Sequence, residues 1–286
     1  MKIAISGYNG LVGSQLCEYV ESAVNADILK VTRQHLYSDK NELAKYLEGA
    51  DVIIHLAGAP VVSVWTKKQM RIIRDSRINT TRNLHGAISK MNKKPELFIC
   101  VSAVGIYDTE SLHTESECSY SNDFLGQLCQ DWENEARKVE KESVRTVIFR
   151  LGVILSDKGG VLKKVLPIFR LGFGGKIGTG KQAFPYIHIE DLMEAFLYVI
   201  NDKNTKGVYN LVAPDLKTNT DFTNTLADSL KRPAFLPVPA FILKLLYRKG
   251  AEVLLKGQKV APDRLKTEGF SYKYVSLKNA ITSFLK

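Results

Sequence analysis

Three glycines, Gly7, Gly10 and Gly13, are spaced GxxGxxG directly after the apolar stretch Lys2 to Ser6 and at the start of a helical pattern that opens at Leu11. Between a strand and a helix, glycines at that spacing permit a tight turn, let the backbone approach a pyrophosphate and allow the helix to pack close to the sheet. The helix start then offers free N–H groups and the positive end of its dipole to the phosphates. The segment Gly7, Tyr8, Asn9, Gly10, Leu11, Val12 and Gly13 is therefore predicted to bind a dinucleotide. About 20 residues past the glycines, where a carboxylate would accept from the ribose 2′-OH of NAD, the chain carries Arg33. The nearest acid, Asp27, lies at the opposite end of the second predicted strand. An arginine at that place gives a charge-assisted fork to a 2′-phosphate, so the predicted cofactor is NADP(H).

Two other groupings do not carry chemistry. Gly175 to Lys181 spells GxxxxGK, but Gln182 stands where a magnesium-binding Ser or Thr is needed, no apolar strand precedes it, and Pro185 follows where a helix should begin. Nucleoside triphosphate hydrolysis is thereby excluded. Cys17, Cys100, Cys118 and Cys129 form no CxxC pair and have no histidine at ligand spacing, so neither a metal site nor a disulfide framework is expected.

Strand ends have to hold these residues, and the first 150 residues supply them by alternating short apolar runs with helical patterns. Strands are predicted at Lys2 to Ser6, Ile28 to Thr32, Asp51 to Leu56, Leu97 to Ser102 and Arg145 to Leu151. Helices are predicted at Leu11 to Val24, Asn41 to Glu48, Lys67 to Met91 and Asp123 to Glu142. After Ser156 the pattern loosens, and a helix from Glu190 to Ile200 and a strand from Val208 to Val212 restore it. Helices around Asp221 to Leu230 and Phe241 to Leu255, punctuated by prolines, follow. The predicted fold is α/β, a Rossmann-type doubly wound parallel sheet with a smaller, mostly helical C-terminal domain on the substrate side. Its divisions are 1–155 plus 187–213 for the dinucleotide-binding domain, 156–186 for a glycine-rich cleft loop and 214–286 for the C-terminal domain.

With the loop in place, further stretches resemble one family. His55-Leu56-Ala57-Gly58 resembles the HLAG-type motif beside the cofactor in extended short-chain dehydrogenases/reductases, and Thr81-Arg82-Asn83-Leu84 resembles a helix segment of the same superfamily. Ser102 to Tyr107, Asp123-Phe124-Leu125 with Trp132-Glu133, Arg150 to Leu155, Gly174 to Gln182, Ile187-His188-Ile189 with Asp191, Asn210-Leu211 with Ala213-Pro214, and Arg232-Pro233-Ala234 are similar to one atypical subfamily. Its members are usually labelled nucleoside-diphosphate-sugar epimerase-like and carry a C-terminal domain of unknown function. The resemblance implies that Leu56, Ala57 and Gly58 flank the cofactor. It also implies an active-site hydroxyl near Ser102, and Tyr107 is the nearest phenol that could serve as acid. Arg77 falls where relatives often place an Asn and is a candidate to meet an anionic substrate. Glu133, by location, and Lys181 and Gln182, on the glycine-rich loop, are candidates for the substrate side. The superfamily's YxxxK pair has no counterpart between Asp123 and Asp131, and the one YxxxK present, Tyr274 to Lys278, lies in the C-terminal unit without catalytic context.

The implied function is an NADP(H)-dependent oxidoreductase or sugar-nucleotide epimerase acting by hydride transfer on an unidentified substrate. The alternative is a non-catalytic NADP(H)-binding sensor or interaction scaffold, since a fold alone does not fix an activity. Of the formal net charge of +10, residues 231–286 hold twelve Lys/Arg against Glu252, Asp263 and Glu268. No nucleic-acid-binding motif accompanies that charge, which reads as a solvated lysine-rich face. No apolar run approaches the roughly 18 residues of a membrane span. The expected setting is cytoplasmic, with a small-molecule partner, no specific nucleic acid and no membrane, and a homodimer is compatible with it.

Overall fold

Six parallel strands form the central sheet in the computed structural model, which describes residues 1–285. They are β1 (Lys2–Ser6), β2 (Asp27–Val31), β3 (Val52–His55), β4 (Leu97–Ala103), β5 (Arg145–Leu151) and β6 (Gly207–Leu211), in the spatial order β2-β1-β3-β4-β5-β6. The winding direction reverses between β1 and β3, the place where open α/β sheets bind ligands beyond the carboxyl ends of their strands. The register sets Ser6 beside His55, His55 beside Cys100, Ser102 beside Arg150 and Arg150 beside Asn210.

Each strand feeds two cores because alternate residues point to opposite faces. Ile3, Ile5, Ile54, Ile99 and Phe149 meet Leu16, Cys17 and Val20 of helix α1 (Leu11–Val24), together with Leu192, Phe196 and Val199 of a later helix, Ile189–Asn201. Ala4, Ile53, Phe98 and Ile148 meet helices α2 (Lys40–Leu47), α3 (Lys67–Ile88) and α4 (Phe124–Arg137) through Leu43, Leu47, Ile73, Leu84, Leu128 and Trp132. The doubly wound α/β fold is thus present, with layers on both faces.

Two departures from the sequence pattern have local causes. Within 156–186, expected as loop, Gly160–Arg170 forms helix α5, whose buried stripe Leu162, Leu166 and Phe169 packs with Phe222 and Leu226 of helix α7 (Asn219–Leu230). The glycines that follow it mask its period. Ile189–Asn201 is α6 in chain order. The predicted helix Phe241 to Leu255 ends early, at α8 (Ala240–Tyr247), because Arg248 takes φ +52° and Gly250 is pressed on the 61–66 loop. A Cβ at Gly250 would lie 2.1 Å from the Ser63 carbonyl oxygen.

The C-terminal unit is mostly helical and is not set apart from the sheet. Leu265 and Phe270 lie in the core shared with α1 and α6, while Leu277, Ala280 and Ile281 join the core of α5 and α7. Asp191, buried at the start of α6, accepts from the Lys273 and Tyr274 amides at 2.7 and 3.1 Å. Tyr274 stacks on His188 with ring centroids 3.6 Å apart, so the stray YxxxK tyrosine is a packing residue.

Candidate active site at the strand carboxyl ends

The glycine loop is built by three different constraints. Gly7 has φ +73°, a left-handed backbone that favours glycine, and a Cβ on it would lie 2.9 Å from the Leu56 carbonyl carbon and the Ala57 nitrogen. A Cβ on Gly13 would lie 2.2 Å from the Gly7 carbonyl oxygen. Gly10 differs: its φ is −79°, and the only neighbour of a Cβ there would be the Gly7 oxygen at 3.3 Å. The chain itself therefore crowds position 10 much less than positions 7 and 13, whereas a pyrophosphate lying on the loop would demand a glycine there. Gly10 is also the N-cap of α1 and gives no side-chain cap, so the first-turn N–H groups of Leu11, Val12 and Gly13 are left for an external acceptor. The loop fits a dinucleotide phosphate.

Arg33 stands just past β2, at the first position of a short helix, Arg33–Leu36, that Thr32 caps. It lines an open cleft of about 570 Å³ with Gln34, Tyr37, Ile72, Asp75 and Asn79, and its guanidinium lies 5.6 Å from the centre of the Tyr37 ring. A cation beside an aromatic wall fits the 2′-phosphate and adenine of NADP(H). Asp75 is the one carboxylate in that lining, and it pairs with Arg71 at 3.4 Å.

Beyond β3, the Leu56 amide donates to the Ser6 carbonyl at 3.2 Å, tying the two cofactor-side loops together. His55, fully buried, takes both its ring nitrogens to hydroxyls: Nδ1 to Ser6 Oγ at 2.7 Å and Nε2 to Thr80 Oγ1 at 3.3 Å. Burial pushes its pKa down to about 3, so the ring is neutral and serves as a pin between β1, β3 and α3.

Arg77 lies against this loop. A Cβ on Gly58 would come 2.9 Å from its guanidinium carbon, Nη1 donates to the carbonyls of Ala59 (3.0 Å) and Ile73 (3.1 Å), and Trp132 flanks it at 5.1 Å. Among the described residues Nε and Nη2 make no hydrogen bond, and Arg77 has no acidic partner. At the end of β4, Ser102 is 2% exposed, and among the described residues its Oγ has no oxygen or nitrogen hydrogen-bond partner. Beside it lies the Cys129 thiol of α4, which burial pushes up to about 12. The Ser102 hydroxyl and the half-satisfied Arg77 guanidinium thus leave unused hydrogen-bonding capacity at the strand ends.

Four sequence candidates stand elsewhere. Tyr107 is fully buried: its hydroxyl accepts from Arg150 Nη1 and donates to Asn210 Oδ1, each at 2.7 Å, and its ring stacks on His113. Burial pushes the phenol up to about 12, so its expected role as an acid is corrected to that of a core residue. Glu133 likewise does not face the cleft, because its carboxylate accepts from Arg150 Nε and Nη2 inside the protein. Gln182 donates from Nε2 to the carbonyls of Ile177 (3.0 Å) and Leu254 (3.3 Å), which clips the glycine-rich loop to the C-terminal unit. Lys181 lines a separate cavity of about 140 Å³ with Asp215, Lys217 and Gln258, and Ser102 and Arg77 are not in its lining. Arg150 is the residue the sequence pattern undervalues, and its one signal is a charge inside the apolar run Arg145 to Leu151.

Residues 3–211 match the model of the NAD dependent epimerase/dehydratase family, and residues 238–284 match a domain of unknown function, DUF1731. The chain belongs to that epimerase/dehydratase family. It is 34% identical to an epimerase family protein of Staphylococcus epidermidis, over 99% of this chain and 98% of the relative. To a chloroplastic epimerase family protein of Arabidopsis thaliana it is 32% identical, over 100% and 87%. The structure of human epimerase family protein SDR39U1 with NADPH superposes with a TM-score of 0.91 at 30% identity, covering 99% of both chains. A UDP-glucuronic acid 4-epimerase of Bacillus cereus, at 18% identity and a TM-score of 0.80, shares the fold, covering 98% of this chain and 96% of the epimerase.

Proposed function

We propose that the chain is an NADP(H)-dependent oxidoreductase or sugar-nucleotide epimerase, working by hydride transfer on a hydroxyl or carbonyl compound beyond the carboxyl ends of β1, β3 and β4. The observation that carries this reading is the placement of the Gly7–Gly13 turn, an α1 start without a side-chain cap and Arg33 along one end of the sheet. The NADPH in the human relative's structure supports it.

The Gly7–Gly13 loop and α1 hold the pyrophosphate, and Arg33 holds the 2′-phosphate. Leu56, Ala57 and Gly58 flank the cofactor, whose nicotinamide, when bound, supplies or takes up the hydride. Ser102 orients a substrate oxygen through its free hydroxyl, and Arg77 presents a fixed cation to an anionic substituent. Tyr107 and Glu133 take no part in proton transfer.

A second reading, cofactor binding without turnover, is favoured by one observation. On α4, Leu125 packs at Gly105 and Cys129 lies beside Ser102, at the four-residue spacing of the superfamily's Tyr and Lys, and neither supplies a group that titrates near neutrality.

Titration of the protein with NADPH and NADH tests the cofactor assignment. NADPH binds roughly 10- to 100-fold more tightly, the worth of one charge-assisted contact, and Arg33→Ala erases the difference by weakening NADPH alone. Equal affinities for the two cofactors would overturn it. Deuteride transfer from labelled NADPH to a panel of carbonyl compounds, including nucleotide-linked keto-sugars, separates catalysis from binding alone.

A further inference from the structure

The face that carries α8 is apolar and its charge is unneutralised. Phe241 and Leu245, one helical turn apart, are 70% and 81% exposed, and Ile242 and Leu246 form a second exposed row beside them. The segment that leads into α8 runs beside the stretch that follows α5: the Leu236 amide donates to Gly174 at 3.1 Å and the Val238 amide to Lys176 at 2.9 Å. Exposed Phe235 on one segment and exposed Leu171 and Phe173 on the other extend the apolar area. Large apolar side chains left exposed on neighbouring segments mark a place of contact.

The charge on the same two segments is of one sign. Residues 160–180 and 231–251 contain no Asp or Glu. The first carries Lys163, Lys164, Arg170 and Lys176, and the second carries Lys231, Arg232, Lys244, Arg248 and Lys249, all exposed. None of these nine is in a salt bridge among the described residues, whereas cations elsewhere are, as in Lys158 with Glu18, Lys203 with Glu96 and Lys273 with Glu190.

We propose that this face docks on an anionic phospholipid surface. Phe241, Leu245, Leu171 and Phe173 enter the boundary between headgroups and acyl chains, and the unpaired cations meet the lipid phosphates. No helix among the described residues is long and apolar enough to cross a membrane, so the contact is peripheral. Charge complementarity selects this occupant. A second copy on an isologous contact would set the cations against themselves, and a nucleic acid would use the cations and leave the phenylalanine and leucine side chains in water. The charge count alone suggests no membrane partner; the apolar residues set among the cations do.

Co-sedimentation of the full chain with vesicles of phosphatidylcholine alone, and of phosphatidylcholine mixed with phosphatidylglycerol, tests the proposal. The anionic vesicles bind roughly tenfold more protein, the difference shrinks as salt rises, and Leu245→Glu or the pair Lys231→Glu and Arg232→Glu brings binding to the level of phosphatidylcholine with melting temperature unchanged. The charge pair decides alone if Leu245→Glu does not fold. Equal binding to the two vesicles, anionic-vesicle binding untouched by the variants, or a solution dimer that Leu245→Glu dissociates would each overturn the proposal.

Discussion

Arg150 and Glu133 form a doubly hydrogen-bonded ion pair, both contacts 2.7 Å, with each side chain 1% exposed. Removing one partner of such a pair strands the other charge and costs about 3–5 kcal/mol. Glu133→Ala is therefore expected to lower the urea midpoint steeply while the folded protein keeps its NADPH affinity. Unchanged stability with lost turnover would return Glu133 to the cleft.

Gly10 and Gly13 should part company under substitution. Gly13→Ala places a methyl group on the Gly7 carbonyl and destabilises the chain, which a thermal melt reads directly. Gly10→Val meets only the Gly7 oxygen, at 3.3 Å, yet obstructs the pyrophosphate, so the melt falls much less than for Gly13→Ala while NADPH affinity falls at least roughly tenfold, the effect of losing one to two phosphate hydrogen bonds. Undiminished NADPH binding by folded Gly10→Val would remove the loop from the cofactor site.

Ser102→Ala deletes a hydroxyl whose one polar neighbour among the described residues is the weakly bonding Cys129 thiol, so stability should change by less than about 1 kcal/mol. Turnover, once a substrate is found, should fall through kcat. Loss of stability with full turnover would make Ser102 a structural residue.

Two enclosed histidines set an acid limit. Burial pushes His55 down to about 3 and His188 down to about 4; at His188 Glu190 and Asp157 oppose that effect and Lys273 adds to it. The unfolded chain, with ordinary imidazoles near 6.5, binds more protons over this range. Their stabilisation is complete above that value and is lost as pH falls toward 4 and then 3. Each contributes a slope of about 1.4 kcal/mol per pH unit within its window. Urea midpoints should drop between about pH 7 and pH 5. His188→Asn, which can still cap α6, should flatten the decline; a midpoint independent of pH would refute the assignment.

What was legible in the sequence was local. β1, α1 and β5 have the predicted bounds because an apolar alternation, a glycine turn and a helical stripe follow one another without interruption. The glycine loop and Arg33 reach the strand ends for the same reason, as each is fixed by its distance from a neighbouring strand. Tyr107 and Glu133 turn away from the cleft because the direction of a side chain depends on a partner far along the chain. Arg150, 17 residues past Glu133, draws both inward. Five glycines crowding the far end of α5 hide its period in the sequence, and the contact of Arg77 with Gly58 spans a loop and a helix that no spacing rule connects.

Leu265 and Phe270, near the end of the chain, share a core with Ile3 and Ile5 at its beginning. The two matched regions, 3–211 and 238–284, thus meet beneath one sheet face. A growing chain on the ribosome can pair β1 to β6 well before those two side chains exist, but it cannot close the α1 and α6 face until they emerge. Until then the lower end of that face is open to water and to other nascent chains. Synthesis of this protein therefore has a vulnerable interval that lasts until Phe270 has emerged, and the segment carrying Leu265 and Phe270 is the seal that ends it.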